Sequence, residues 1–73
     1  MSLSQLEVGM SSDHALTLLT DLEKSTTKSR RIGSDENGLL VAWRFNDGTE
    51  VHLRREKRPE GERYYIYEIV NIG

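Results

Sequence analysis

Two tight-turn signals divide the C-terminal half of this chain into segments that must lie side by side. Asn46-Asp47-Gly48 suits a three-residue hairpin loop with Gly48 in the left-handed conformation. Arg58-Pro59-Glu60-Gly61 suits a second turn, with φ preset at Pro59 and the loop closed by Gly61. The flanking residues are rich in β-branched and aromatic types. Leu39 to Phe45, Thr49 to Glu56 and Arg63 to Val70 therefore read as three antiparallel strands.

The two turns, read by separate local rules, imply one register. The first sets Phe45 opposite Thr49, Trp43 opposite Val51 and Val41 opposite Leu53. With Pro59 to Gly61 as its loop, the second sets Leu53 opposite Tyr67 and Val51 opposite Ile69. Leu39, Val41, Trp43, Phe45, Val51, Leu53, Tyr65, Tyr67 and Ile69 then share one face. A slip of one residue in either hairpin would scatter that set over both faces.

What covers this face is expected upstream. Ser11-Ser12-Asp13 is a helix start, with a serine oxygen for the orphan N–H groups and an acid at the positive end of the dipole. Ala15, Leu18, Leu19 and Leu22 follow at helical spacing, and Ser25-Thr26-Thr27 ends the segment. The expected fold class is α+β: an N-terminal amphipathic helix packed on one face of a three- or four-stranded antiparallel β-meander. Residues 1–10 read as a tail or short helical turn, and 11–73 as a single domain. Residues 28–33 suit an irregular edge strand joined through an Asn37-Gly38 turn, which would set Ile32 opposite Trp43 and Arg31 opposite Arg44.

Composition narrows the function. With 73 residues, the chain is near the lower limit for an independent core. It has no cysteine, so disulfides, thiolate metal sites and a cysteine nucleophile are excluded. Its two histidines, His14 and His52, are too few and too scattered for a metal centre, and no phosphate-binding glycine loop or glycine-elbow nucleophile occurs. No cofactor is expected. No apolar run approaches the roughly 20 residues of a membrane span, so no membrane partner is expected and a cytoplasmic location is the default. No motif diagnostic of a family emerges.

The same register determines what faces away from the helix. Leu40, Arg44, His52, Arg54, Tyr64, Ile66, Glu68 and Val70 fall there, with Arg44 opposite Glu50, His52 opposite Glu68 and Arg54 opposite Ile66. A purely solvated face would carry the charges without Leu40, Tyr64, Ile66 and Val70. An apolar strip among pairable charges suits contact with a partner. The leading expectation is a small non-enzymatic protein-interaction or assembly module using this helix-free face, as a homodimer or with another protein.

Two other readings stand beside it. Arg54, Arg55, Lys57, Arg58 and Arg63 crowd one hairpin and would suit nucleic acid, although Glu56, Glu60 and Glu62 dilute the field and the whole chain carries −2. His52 and Glu68 would form the acid/base pair of a metal-independent ribonuclease, with Arg44 or Arg54 holding a phosphate and Tyr64 nearby.

Overall fold

The structure, a computed structural model, describes residues 5–36 and 38–71. Four antiparallel strands follow two short helices in chain order: α1 Ser12–Leu18, α2 Asp21–Thr26, β1 Lys28–Asp35, β2 Gly38–Arg44, β3 Thr49–Arg58 and β4 Gly61–Asn71. The strands pair in sequence order, β1-β2-β3-β4. Every connection is a hairpin, and the sheet is a meander.

The expected single helix is two. Ser11 caps α1 and accepts from the His14 N–H at 3.2 Å. The chain turns extended at Leu19 and Thr20, and a capping box restarts it: Glu23 N donates to Thr20 Oγ1 at 3.1 Å, and Thr20 N donates to Glu23 Oε1 at 2.9 Å. The Thr20-x-x-Glu23 spacing that makes this box is present in the sequence. Because the helix restarts there, Leu22 does not continue the Ala15–Leu19 stripe and is 70% exposed.

The first hairpin is as its residues imply. Phe45 N donates to Thr49 O at 2.9 Å, and Gly48 lies at φ 92°. Thr49 N donates to Asp47 Oδ1, also at 2.9 Å, which fastens the loop. Trp43 pairs with Val51 and Val41 with Leu53.

The second hairpin departs from expectation in two compensating places. Arg58 pairs with Gly61, so the loop is the two residues Pro59 and Glu60 rather than three. One residue of register is thereby displaced, and a bulge at Tyr67 returns it: His52 pairs with Glu68, but Leu53 pairs with Ile66. Beyond the bulge Val51 meets Ile69, as expected. Between bulge and turn the faces are exchanged. Ile66, not Tyr67, joins Leu53 and is 2% exposed, while Tyr64 packs at the edge of the same cluster. The exchange suits the side chains, since Ile has no polar atom to satisfy and the Tyr hydroxyl does.

One apolar cluster joins the two halves of the chain: Leu6, Ala15 and Leu19 from the N-terminal segment with Phe45, Val51, Leu53 and Ile66 from the sheet. The approach to β4 is held by backbone bonds. Gly9 N donates to Ile66 O at 2.7 Å, Ile66 N donates to Met10 O at 2.8 Å, and Ser11 bridges Tyr65.

The first strand is longer than expected and differently registered. Ser29, not Ile32, pairs with Trp43, and Arg31 pairs with Val41 rather than Arg44. This removes the Arg31–Arg44 clash, although Lys28 now stands opposite Arg44 at the strand's start. Ile32 is the extra residue of a bulge between Arg31 and Gly33. Asn37, expected to share the turn with Gly38, lies outside the described residues. Among the described residues no helix is long and apolar enough to cross a membrane.

Candidate interaction face

Because Val51 and Leu53 belong to the core cluster, the alternating residues Glu50, His52 and Arg54 of β3 stand on the other face, together with their cross-strand partners. That outer face is ordered in rows. One row runs Arg30, Ala42, His52, Glu68 from β1 to β4, the next Lys28, Arg44, Glu50, Val70, and a third Gly33, Leu40, Arg54, Tyr65.

Its centre is Glu50, a carboxylate only 6% exposed. Each oxygen has its own company. Oε1 lies 3.0 Å from His52 Nε2, whereas Oε2 lies 3.7 Å from an Arg30 terminal nitrogen and 4.0 Å from Arg44 Nε. The His52 hydrogen bond, then the positive fields of Arg30 and Arg44, hold the Glu50 carboxyl below the usual glutamate value of 4.5, against burial acting the other way. His52 Nδ1 lies 3.3 Å from Glu68 Oε1, so both ring nitrogens face carboxylate oxygens. The ring donates to both at once only when doubly protonated.

Aromatic residues flank this cluster. Tyr67, turned outward by the bulge, lies under Arg54 with the guanidinium carbon 4.9 Å from the ring centroid, and its ring is 6.1 Å from that of His52. Arg58 covers Tyr65 at 3.6 Å, and the Tyr65 hydroxyl donates to Glu60 Oε1 at 3.4 Å. Tyr65 is 7% exposed beneath that cover. Ala42, the smallest side chain of the face apart from glycine, is buried among its longer neighbours.

Of the eight residues expected on this face, the structure brings together Leu40, Arg44, His52, Arg54, Glu68 and Val70. Ile66 and Tyr64 are displaced: Ile66 lies in the core and Tyr64 packs against it. Tyr67 and Tyr65 take their places, so Arg54 meets Tyr65 instead of Ile66. Arg30 is a member that the sequence did not place on this face. The β1 register expected from the sequence conceals Arg30. Glu50 is already opposite Arg44 in that reading, and only its burial is new.

The hairpin residues expected to suit nucleic acid have other engagements. Arg54 Nε lies 3.2 Å from Asp35, Arg55 2.5 Å from Glu62, Arg58 2.8 Å from Glu56 and Arg63 3.5 Å from Asp13. The hydrogen bonds that Arg55 and Arg58 donate to Glu62 and Glu56 hold their guanidiniums above the usual arginine value. Of the five, Lys57 alone has no ion-pair partner among the described residues. A second set of cations, Lys28, Arg30, Arg31 and Arg44, lies on β1 and the end of β2.

Among the described residues no group of three or more His, Cys, Asp or Glu is arranged to hold a metal ion. No protein-family model, curated protein or solved structure matches the chain.

Proposed function

We propose that this protein is a non-enzymatic interaction module whose contact surface is the outer face of its sheet, the helical segment serving as cover for the opposite face. The observation that carries this reading is the sorting of side chains about the sheet. Buried residues of the N-terminal segment (Leu6, Ala15 and Leu19) join the core-face cluster, while the outer face presents half-buried Leu40, Tyr67 and Val70 around a set of ion pairs. Apolar area interleaved with charge that is satisfied but accessible is the composition of a non-obligate protein contact.

The other two readings have less behind them. Four of the five hairpin cations are matched by nearby carboxylates, which leaves a small net field for a phosphate backbone. The His52 ring has carboxylates at both nitrogens and no nitrogen left for a substrate.

Sedimentation across a concentration series tests the proposal, comparing Leu40→Lys and Val70→Lys with Leu16→Lys, a substitution of an exposed residue on α1. Association weakened by the first two and not by the third supports the outer face. Association lost equally in all three, or in none, overturns it. If the chain is monomeric, a photo-crosslinker at position 40 should trap one protein species in the cell that a crosslinker at position 16 does not.

A further inference from the structure

Charge on the outer face is polarised across the strands. On the β1 side stand Lys28, Arg30 and Arg44, with Arg30 and Arg44 more than half exposed. On the β4 side of the same rows stands Glu68, also more than half exposed, with Val70 beside it. Arg30 and Arg44 approach Glu50 at ion-pair distance, yet neither makes a side-chain hydrogen bond among the described residues. Both guanidiniums are more than half exposed and so remain accessible to another carboxylate.

Resting on the outer-face reading above, we infer that the partner is a second copy of this chain, stacked face to face about a two-fold axis that runs parallel to the strands between β2 and β3. This operation lays β1 of one copy over β4 of the other while each row stays over itself, reversed. The row Arg30, Ala42, His52, Glu68 then meets Glu68, His52, Ala42, Arg30. Arg30 of each copy faces Glu68 of the other, and the small Ala42 faces the His52 ring. In the next row Arg44 faces Glu50 and Lys28 faces Val70. A two-fold axis perpendicular to the strands and midway between the His52 and Arg54 rows does worse, because it carries Glu50 toward Glu56 and His52 toward Arg54. An isologous contact needs a surface complementary to itself under rotation, and the charge order of these rows meets that condition about the axis parallel to the strands.

The two larger extents of the molecule, 31 and 23 Å, limit a face-to-face contact to no more than the roughly 800 Å² that each partner contributes to a standard interface. Charge order, not area, must therefore select this dimer, and the dimer weakens as salt rises.

The test uses the full chain and two charge reversals, Arg30→Glu and Glu68→Arg, in analytical ultracentrifugation. Each variant alone sets like charges against each other at both symmetry-related contacts and should dimerise at least about tenfold more weakly than the wild type. An equimolar mixture of the two restores opposite charge at both contacts. At one, the two substituted positions meet with their signs exchanged; at the other, the native Arg30 of one variant meets the native Glu68 of the other. The mixture should dimerise within a few-fold of the wild type. Mixing also controls for folding, since an unfolded chain rescues nothing. The milder Arg30→Gln and Glu68→Gln should each reduce the salt dependence of dimerisation. A wild type that stays monomeric at the highest attainable concentration overturns the second copy and leaves the face to a different protein. A dimer indifferent to both reversals but broken by Val70→Lys overturns the axis alone. A dimer indifferent to all three overturns the face itself.

Discussion

His52 Nε2 lies 3.0 Å from Oε1 of Glu50, and this bond sits at the middle of the outer face with the carboxylate almost wholly out of solvent. The carboxyl is held below its usual value of 4.5 by this bond first, with Arg30 and Arg44 adding to it. Between the folded and unfolded values the unfolded chain binds more protons, so stability rises with pH there. The Glu50 contribution is complete above the ordinary glutamate value and is lost as pH falls through the lowered one. Urea unfolding at several pH values should show Glu50→Gln less stable than wild type near neutrality, with the gap closing in acid. A constant gap would mean that the charge of Glu50 is not what matters.

Gly38 opens β2 against the backbone of β3. A Cβ added there would collide with the Arg55 carbonyl oxygen, and the residue has φ 151°. Backbone does not give way as a flexible side chain does. Gly38→Ala should cost roughly 1–3 kcal/mol, by overpacking and strain together. Gly33 is the control: its φ is 152°, but nothing lies within 4 Å of its Cβ position. Gly33→Ala should cost less, and equal losses in thermal melts would discount the close approach.

The bulge in β4 makes neighbouring residues behave oppositely. Ile66 is 2% exposed in the core cluster, so Ile66→Ala should cost roughly 2–5 kcal/mol. Tyr67 stacks with Arg54 on the outer face, and Tyr67→Ala should cost only about 1 kcal/mol. Chemical denaturation of the two variants would decide between this register and one without a bulge, which reverses the order.

α2 is held by its cap more than by burial, for it contains no buried residue. Thr20→Ala removes the acceptor for Glu23 N and should destabilise the helix by about 1 kcal/mol, read as roughly fivefold faster amide exchange within it. The global unfolding midpoint should move little. A large shift would show that α2 unfolds together with the sheet.

Local chemistry in the chain was enough to place the strands. Asn46-Asp47-Gly48 favours one kind of loop, so Trp43–Val51, Val41–Leu53 and Arg44–Glu50 were legible directly. His52–Glu68 was also legible, because the errors of loop length and bulge cancel before that pair is reached. The Thr20 capping box was written in the sequence too, but helical periodicity through Leu22 masked it.

What only the tertiary structure decided is which way residues 64–67 face. A two-residue turn with a bulge and a three-residue turn without one deliver the same pairs from Glu68 onward. The choice between them depends on whether Ile66 or Tyr67 fits beneath Ala15 and Leu19, residues about fifty positions away. Backbone sterics and turn preferences act between neighbours and can be read along the chain, whereas the fit of a side chain into a core exists only once distant segments have met. For the same reason the burial of Glu50 among Arg30, Arg44 and His52 became visible only when β1 was set in register beside β2.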